Sequence, residues 1–365
     1  MMHMKASLFC NPQYMASAPQ DVWPLSGKYF DADVAVRSLQ TTLAQFRLAD
    51  EFGFDWATVA EHHYSPFSLS PNPMVLAGAV CQVVHRAKIA VLGPTIPILN
   101  PVRVAEELAM IDVMSGGRLV AGLMRGTANE YVTYNINPAE SRDRFAEAVQ
   151  LIRHCWTQPE PFGWAGQYYE YRTISIWPRP VQQPHPPIFM SAASPESGEF
   201  AARNRLGVGF AFTTVPHAKK AVAHYRACAR ATGWDPGADQ VIYRALFHLA
   251  DTDEQAFSDM ATLPPRVSLT DQNKAVSEAA RKSGYYGADV VGQTQRNSRR
   301  ELGDRIELGQ VIVGSPETAL KQVRRIHGEL GAGIIDFVVG VQLGERTMRS
   351  IELLGSKVLP RMRDL

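Results

Sequence analysis

The sequence predicts an α/β fold in which eight parallel strands alternate with helices and close into a (β/α)8 barrel. Three observations carry this. Short apolar runs alternate with longer amphipathic ones along the chain, the pattern of repeated β–α units on a parallel sheet. The short runs number eight, which is the barrel count. A length of 365 residues, 45% apolar and 20% charged, can fill the core of one large barrel or of two ordinary domains.

Taken in order, the strand candidates are Ser7–Cys10, Trp56–Ala60, Ile89–Leu92, Leu119–Leu123, Ile188–Met190, Val208–Phe212, Val241–Leu249 and Ile334–Val339. Helices are predicted over Val36–Phe52, Val102–Met114, Arg142–Trp156, Ala218–Thr232 and Pro316–Leu330, where apolar residues recur every three or four positions. Their ends are legible. Gly53 stops the first and Gly116-Gly117 the second, while Ser194-Pro195-Glu196 and Ser315-Pro316-Glu317 each read as an N-cap, a proline at the first helical position and an acid in the first turn. Two insertions interrupt the rhythm. Residues 159–187, rich in proline and aromatics, read as a hairpin leading into an extended arm. Residues 263–309 read as a long loop; between Arg281 and Arg305 it carries six basic residues against three acids. A solvated loop and a mobile lid over an anionic ligand are both consistent with it.

Composition excludes some partners. A net charge of +1 and a pI near 7.7 give no field suited to nucleic acid or an anionic membrane. No charged-then-apolar leader opens the chain, and no apolar run reaches the roughly 18–20 residues that span a bilayer, so a cytoplasmic location is expected. Cys10, Cys81, Cys155 and Cys228 lie far apart with no metal-ligand spacing, which predicts reduced thiols and no metal.

In a parallel barrel, chemistry collects at the carboxyl ends of the strands. The residues there are Asn11, Glu61-His62-His63, Gly93-Pro94-Thr95, Met124-Arg125-Gly126, Ser191 to Ser197, Thr213-Thr214 and Gly340. They include one cation (Arg125), a serine-rich helix start suited to a phosphate, and a proton-transfer candidate in His62 or His63. Paired carboxylates, a metal triad and a serine nucleophile with an adjacent base are missing from the set. A phosphate-bearing cofactor that brings its own redox chemistry explains it better than hydrolysis.

Several runs are specific enough to carry a resemblance. These are the segment from Glu61 to Pro73 (EHHYSPFSLSPNP), Asn100-Pro101-Val102-Arg103, the stretch Asp112 to Leu119, Arg125-Gly126, Met190-Ser191-Ala192, Ser194, and Val313-Gly314-Ser315-Pro316-Glu317. In order and spacing they resemble the luciferase-like class of flavin-dependent monooxygenases and oxidoreductases. The resemblance implies a luciferase-like TIM barrel over residues 1–365 as a single domain. It assigns His62 as the catalytic histidine, and Arg125, Ser194 and Ser197 to the flavin phosphate, with Gly93, Thr95, Met124 and Ser191 also on the cofactor side. A cis peptide is implied within Leu92–Thr95, where Gly93-Pro94 leaves open which bond it is. Candidate substrate-pocket residues are Cys10, Asn11, Phe67 and Tyr131. Asn129, Glu130 and the aromatics Tyr134, Trp164, Tyr169 and Trp177 are further candidates, and Arg103 is expected to support the scaffold near the flavin.

The class also contains non-catalytic subunits that lack the matches to His62 and Arg125; this chain follows the catalytic pattern at both. It departs at Met124, where a reactive cysteine stands, and at Ala193, where an acid precedes the phosphate serine, so light emission is not implied. The activity implied is a two-component monooxygenase. Reduced FMN from a separate NAD(P)H:flavin reductase and O2 would oxidise a small, apolar organic substrate through a flavin 4a-hydroperoxide. The alternatives are hydride transfer with a 5-deazaflavin and, less in keeping with His62 and Arg125, a non-catalytic flavin-binding subunit. A homodimer through Val75–Val84 and Val102–Met114 is expected.

Overall fold

The computed structural model describes residues 3–19, 22–261, 273–284, 300–340 and 342–365. Its described strands in chain order are β1 (Lys5–Phe9), β2 (Trp56–Val59), β3 (Lys88–Val91), β4 (Leu119–Gly122), β5 (Phe162–Ala165), β6 (Glu170–Ile174), β7 (Ile188–Ser191), β8 (Gly207–Ala211), β9 (Val241–Leu249), β10 (Val311–Gly314) and β11 (Ile334–Val339). The described helices used below are α1 (Ala32–Glu51), α2 (Pro73–Val80), α3 (Pro101–Met114), α4 (Ala128–Thr133), α5 (Ser141–Thr157), α6 (Pro195–Asn204), α7 (Val215–Ala231), α8 (Asp253–Ala261), α9 (Lys274–Ser283), α10 (Leu302–Glu307) and α11 (Pro316–Leu330).

The eight strands expected from sequence close a parallel barrel in the order β1-β2-β3-β4-β7-β8-β9-β11, with β11 returning to β1. Closure depends on the length of β9. One edge runs along β11 from Ile242 to Phe247; the lower part also pairs β8, Val208 opposite Val241, and the upper part pairs the short strand β10, Val311 opposite Leu246. Strand β10 is absent from the sequence reading because its four residues run directly into the Ser315 cap and read as a helix entry.

Alternation along each strand fills two cores. Leu8, Val59, Val91 and Ala121 face outward and pack with helix residues such as Leu108, Val149 and Trp156. Trp56, Ala90, Leu92, Val120, Phe189, Ile242 and Ile334 cluster as a separate layer inside the barrel, with the Trp56 and Phe189 rings meeting edge-on at 5.5 Å. Each buried valine, leucine, isoleucine or phenylalanine among them contributes about 1.5–3 kcal/mol.

The run Asp112 to Leu119 is a clamp between elements. Buried Asp112 accepts hydrogen bonds from the Leu119 N–H at 3.3 Å and from the Gln182 backbone and side chain at 2.9 and 2.7 Å. Arg118 donates to the carbonyls of Ala87 at 2.5 Å and Val84 at 3.0 Å. Gly116 and Gly117, at φ of 66° and 84°, make the left-handed turn between α3 and β4 that brings these partners together. The motif thus sets the entries of β3 and β4, the strands that carry the site.

The first insertion is an antiparallel hairpin, β5 with β6. Its aromatics are held mainly by α5. Glu147 on α5 accepts from the Trp164 indole at 3.2 Å and from the backbone of Tyr168 and Tyr169, while Trp177 is 83% exposed. The second insertion is not one long loop. Helix α9 packs Val276, Ala279 and Ala280 against Trp23 and Ala128, and α10 sets Leu302 and Ile306 against the cluster around β10. Residues 263–272 and 285–299, including Arg296 and Arg299, lie outside the described residues. No helix among the described residues is long and apolar enough to cross a membrane.

Candidate active site

The two histidines after β2 have different surroundings. His63 is buried, its Nε2 3.1 Å from Glu61 Oε1, and Glu61 Oε2 accepts the Thr95 N–H at 3.2 Å, which joins the β2 and β3 loops. His62 keeps 31% of its side chain exposed, its Nδ1 3.6 Å from Glu130 Oε1 and its ring edge-on to Phe67 at 5.6 Å. The proton-transfer candidate with access is therefore His62.

Glu130 is buried at the third position of α4, where a Thr-x-x-Glu capping pattern folds its carboxylate back onto the Thr127 N–H at 2.7 Å and the Thr127 hydroxyl. Asn129 Nδ2 donates to its other oxygen at 3.1 Å. Burial alone would raise this carboxyl, but the His62 imidazole and the two Thr127 donors outweigh it and hold Glu130 below the ordinary carboxylate value. Sequence reading placed Glu130 only among possible pocket-lining residues. The capping pattern was the signal available, and it also directs the carboxylate at His62.

Beside His62 the backbone is specialised. Of the bonds within Leu92–Thr95, Leu92–Gly93 is cis. A Cβ on Gly93 would sit 2.7 Å from the Gly122 carbonyl and 3.1 Å from Met124 Cγ. Thr95 and Met124 bridge across the strand ends, and Gly126, at φ 83°, would drive a Cβ to 2.2 Å from the Thr95 side chain. Neither position has room for a Cβ, so both glycines are required by the close approach of the β3 and β4 ends. Asn11 and Ser70 face burial without a protein partner for their side-chain polar atoms.

On the same carboxyl rim, beyond β7, Ser194 caps α6, accepting from the Ser197 N–H at 3.4 Å, with the two hydroxyls 3.0 Å apart and Pro195 in the first turn. Buried Arg125 donates to the Ser283 carbonyl at 3.0 Å, on the last turn of α9, so the described part of the second insertion is docked on this cation. Glu196 is held below its ordinary value by its own backbone N–H and by Ser194, with Arg142 and Arg125 adding to the effect, which places Arg125 within electrostatic reach of the α6 start. Arg125, the Ser194 and Ser197 hydroxyls and the N-terminal end of α6 suit a phosphate-bearing cofactor.

Three residues stand elsewhere than expected. Cys10 packs in the helix-facing core, its thiol pushed well up by burial and by the Asp336 charge, because its side chain alternates away from the lumen. Tyr131, also buried, donates its hydroxyl to the Arg125 carbonyl and positions that loop instead of lining a pocket. Arg103 pairs with Glu107 at 2.8 Å on the surface of α3. Ser191 lies half-buried at the end of β7. Inside the barrel, Arg244 on β9 and Asp336 on β11 form a 2.6 Å ion pair, the guanidinium stacked 3.9 Å over Phe9. A hollow of about 410 Å³ at the amino-terminal end, lined by Lys5, Asp55, Arg86 and Arg363, lies away from all of this, where barrels carry stability and not chemistry.

Comparison with known proteins agrees with the fold. The chain is 28% identical over 165 residues to the oxygenase component of flavin-dependent trigonelline monooxygenase from Acinetobacter baylyi, 44% of this chain and 45% of that protein. It thus spans about half the length of such curated relatives. The fold matches the oxygenating constituent of 3,6-diketocamphane monooxygenase of Pseudomonas putida, solved with FMN, at a TM-score of 0.76 and 18% identity over 99% of both chains. It also matches an F420-dependent secondary alcohol dehydrogenase at a TM-score of 0.70 and 16% identity over the whole of both. The family model for luciferase-like monooxygenases covers residues 12–332, and this chain belongs to that family.

Proposed function

We propose that the chain is the oxygenase component of a two-component monooxygenase, which takes reduced FMN from a separate NAD(P)H:flavin reductase and uses O2 to oxidise a small organic substrate. The observation that carries this is His62, accessible at the strand ends and backed by a buried, ionised Glu130. A relative named as an oxygenase component supports the partner reductase. Reduced FMN would supply the electrons for oxygen activation.

The chain's own residues would do the rest. Arg125, Ser194, Ser197 and the α6 N–H groups would hold the phosphate. Gly93, Thr95, Met124 and Ser191 would bound the ring. With the Nδ1 side of His62 directed at Glu130, Nε2 is left to hold or move a proton on the cofactor side. Phe67 and the α9 segment docked on Arg125 would keep water out.

Exchanging His62 for alanine is expected to leave reduced-FMN affinity nearly intact and to divert the oxygen consumed into hydrogen peroxide. Unchanged product yield would remove His62 from the mechanism. A second reading, hydride transfer with a 5-deazaflavin, is favoured only by likeness to the F420-dependent fold. Tight binding of that cofactor in preference to FMN would select it.

A further inference from the structure

On the outer face of the barrel, Glu199 of α6 and His224 and Cys228 of α7 bring three metal-ligating atoms within 4.8 Å of one another. We propose that they form a tetrahedral site for a divalent transition metal, zinc by its ligand set, with water in the fourth position. The cluster is separate from the flavin site and does not depend on its assignment.

The geometry carries the proposal. His224 and Cys228 stand four residues apart on one helix, so they share a face. His224 Nε2 lies 3.6 Å from Cys228 Sγ and 3.5 Å from Glu199 Oε1. Ligands bound tetrahedrally at ordinary zinc distances stand about 3.5 Å apart for sulfur and nitrogen and about 3.4 Å for nitrogen and oxygen. Both spacings to His224 therefore match those around a metal, and the sulfur and the carboxylate oxygen lie within 4.8 Å of each other. The second carboxylate oxygen is held by Arg203 at 3.3 Å, which leaves Oε1 turned toward the histidine, as an outer partner orients a ligating carboxylate. The His224 ring lies against α6, where a Cβ on Gly198 would make ordinary contact with Cδ2 at 3.5 Å.

Cysteine sulfur, imidazole nitrogen and carboxylate oxygen together favour zinc over calcium or magnesium, which take oxygen donors alone. The metal would clip α6 to α7. Because α6 begins at Ser194 and Ser197, the clip would fix the helix whose start is the candidate phosphate site.

The test is titration of tag-free, metal-stripped protein with Co2+, read by absorbance, with Zn2+ as competitor. The expected result is one equivalent bound with a thiolate-to-cobalt charge-transfer band and intense tetrahedral d–d bands, displaced by Zn2+. Cys10, Cys81 and Cys155 are buried, so that band in the wild type already reports Cys228. C228S should abolish it, and R203A should weaken binding about 10-fold. Zn2+ should raise the Tm of the wild type and not of a H224A/C228S variant. Weak octahedral bands with no charge-transfer band, or Co2+ binding that survives H224A/C228S unchanged, would overturn the site.

Discussion

At the scale of single residues, the site depends on a histidine and the acid behind it. Glu130 titrates below its ordinary value of 4.5 in the folded chain, so its ionised form contributes stability that is complete above the unfolded value and lost as pH falls through the folded one. E130Q should therefore lower stability by about 1–3 kcal/mol at neutral pH, the cost of disturbing a buried acceptor. The Tm difference from wild type should close as pH drops below the carboxylate range; a difference independent of pH would mean that the charge of Glu130 is irrelevant. G126A should be more damaging than its size suggests, because a Cβ at φ 83° runs into Thr95, and its melting temperature should fall along with flavin affinity. His62, Arg125 and Ser194 were legible in the sequence as strand-end and helix-start residues of the right chemistry. Cys10 was not, since adjacency to a strand end does not reveal which way a side chain alternates, nor was Tyr131, whose hydroxyl turns back from α4 onto the Arg125 carbonyl.

Among the elements, β9 is the most constrained, because it pairs with three neighbours and holds Arg244 against Asp336 of β11. Removing one member of such a pair leaves a buried charge uncompensated. R244M is expected to destabilise by about 3–5 kcal/mol, and R244M/D336L to recover most of that, both read by chemical denaturation. An additive double variant would show that the pair is not coupled. Helix boundaries were visible because their caps are local chemistry: Pro316–Leu330 agrees at both ends, and Ser194 caps α6 as its hydroxyl and following proline predict. Strand β10 and helix α9 were hidden for different reasons. The first runs straight into the Ser315 cap and reads as a helix entry, and the second is a single ten-residue amphipathic segment set inside an insertion that reads as loop.

For the whole molecule, the barrel was readable from strand count and rhythm, whereas its closure required β9 to be shared in a way no local pattern encodes. An apolar surface on α2 and α3 fits the expected homodimer: Val75 is 73% exposed, with Met110 at 50%, Val113 at 45% and Met114 at 46%. V75D/M110D should therefore convert a dimer to a monomer by light scattering with the fold retained; an unchanged mass would remove this surface from the assembly. The central claim, that this luciferase-like member activates oxygen on reduced FMN, is tested most directly by anaerobic titration with reduced FMN followed by rapid mixing with oxygenated buffer. The account predicts saturable binding and a slowly decaying absorbance distinct from both reduced and oxidised FMN. Tight binding of a 5-deazaflavin in place of FMN, or immediate return to oxidised FMN with full release of hydrogen peroxide, would contradict it.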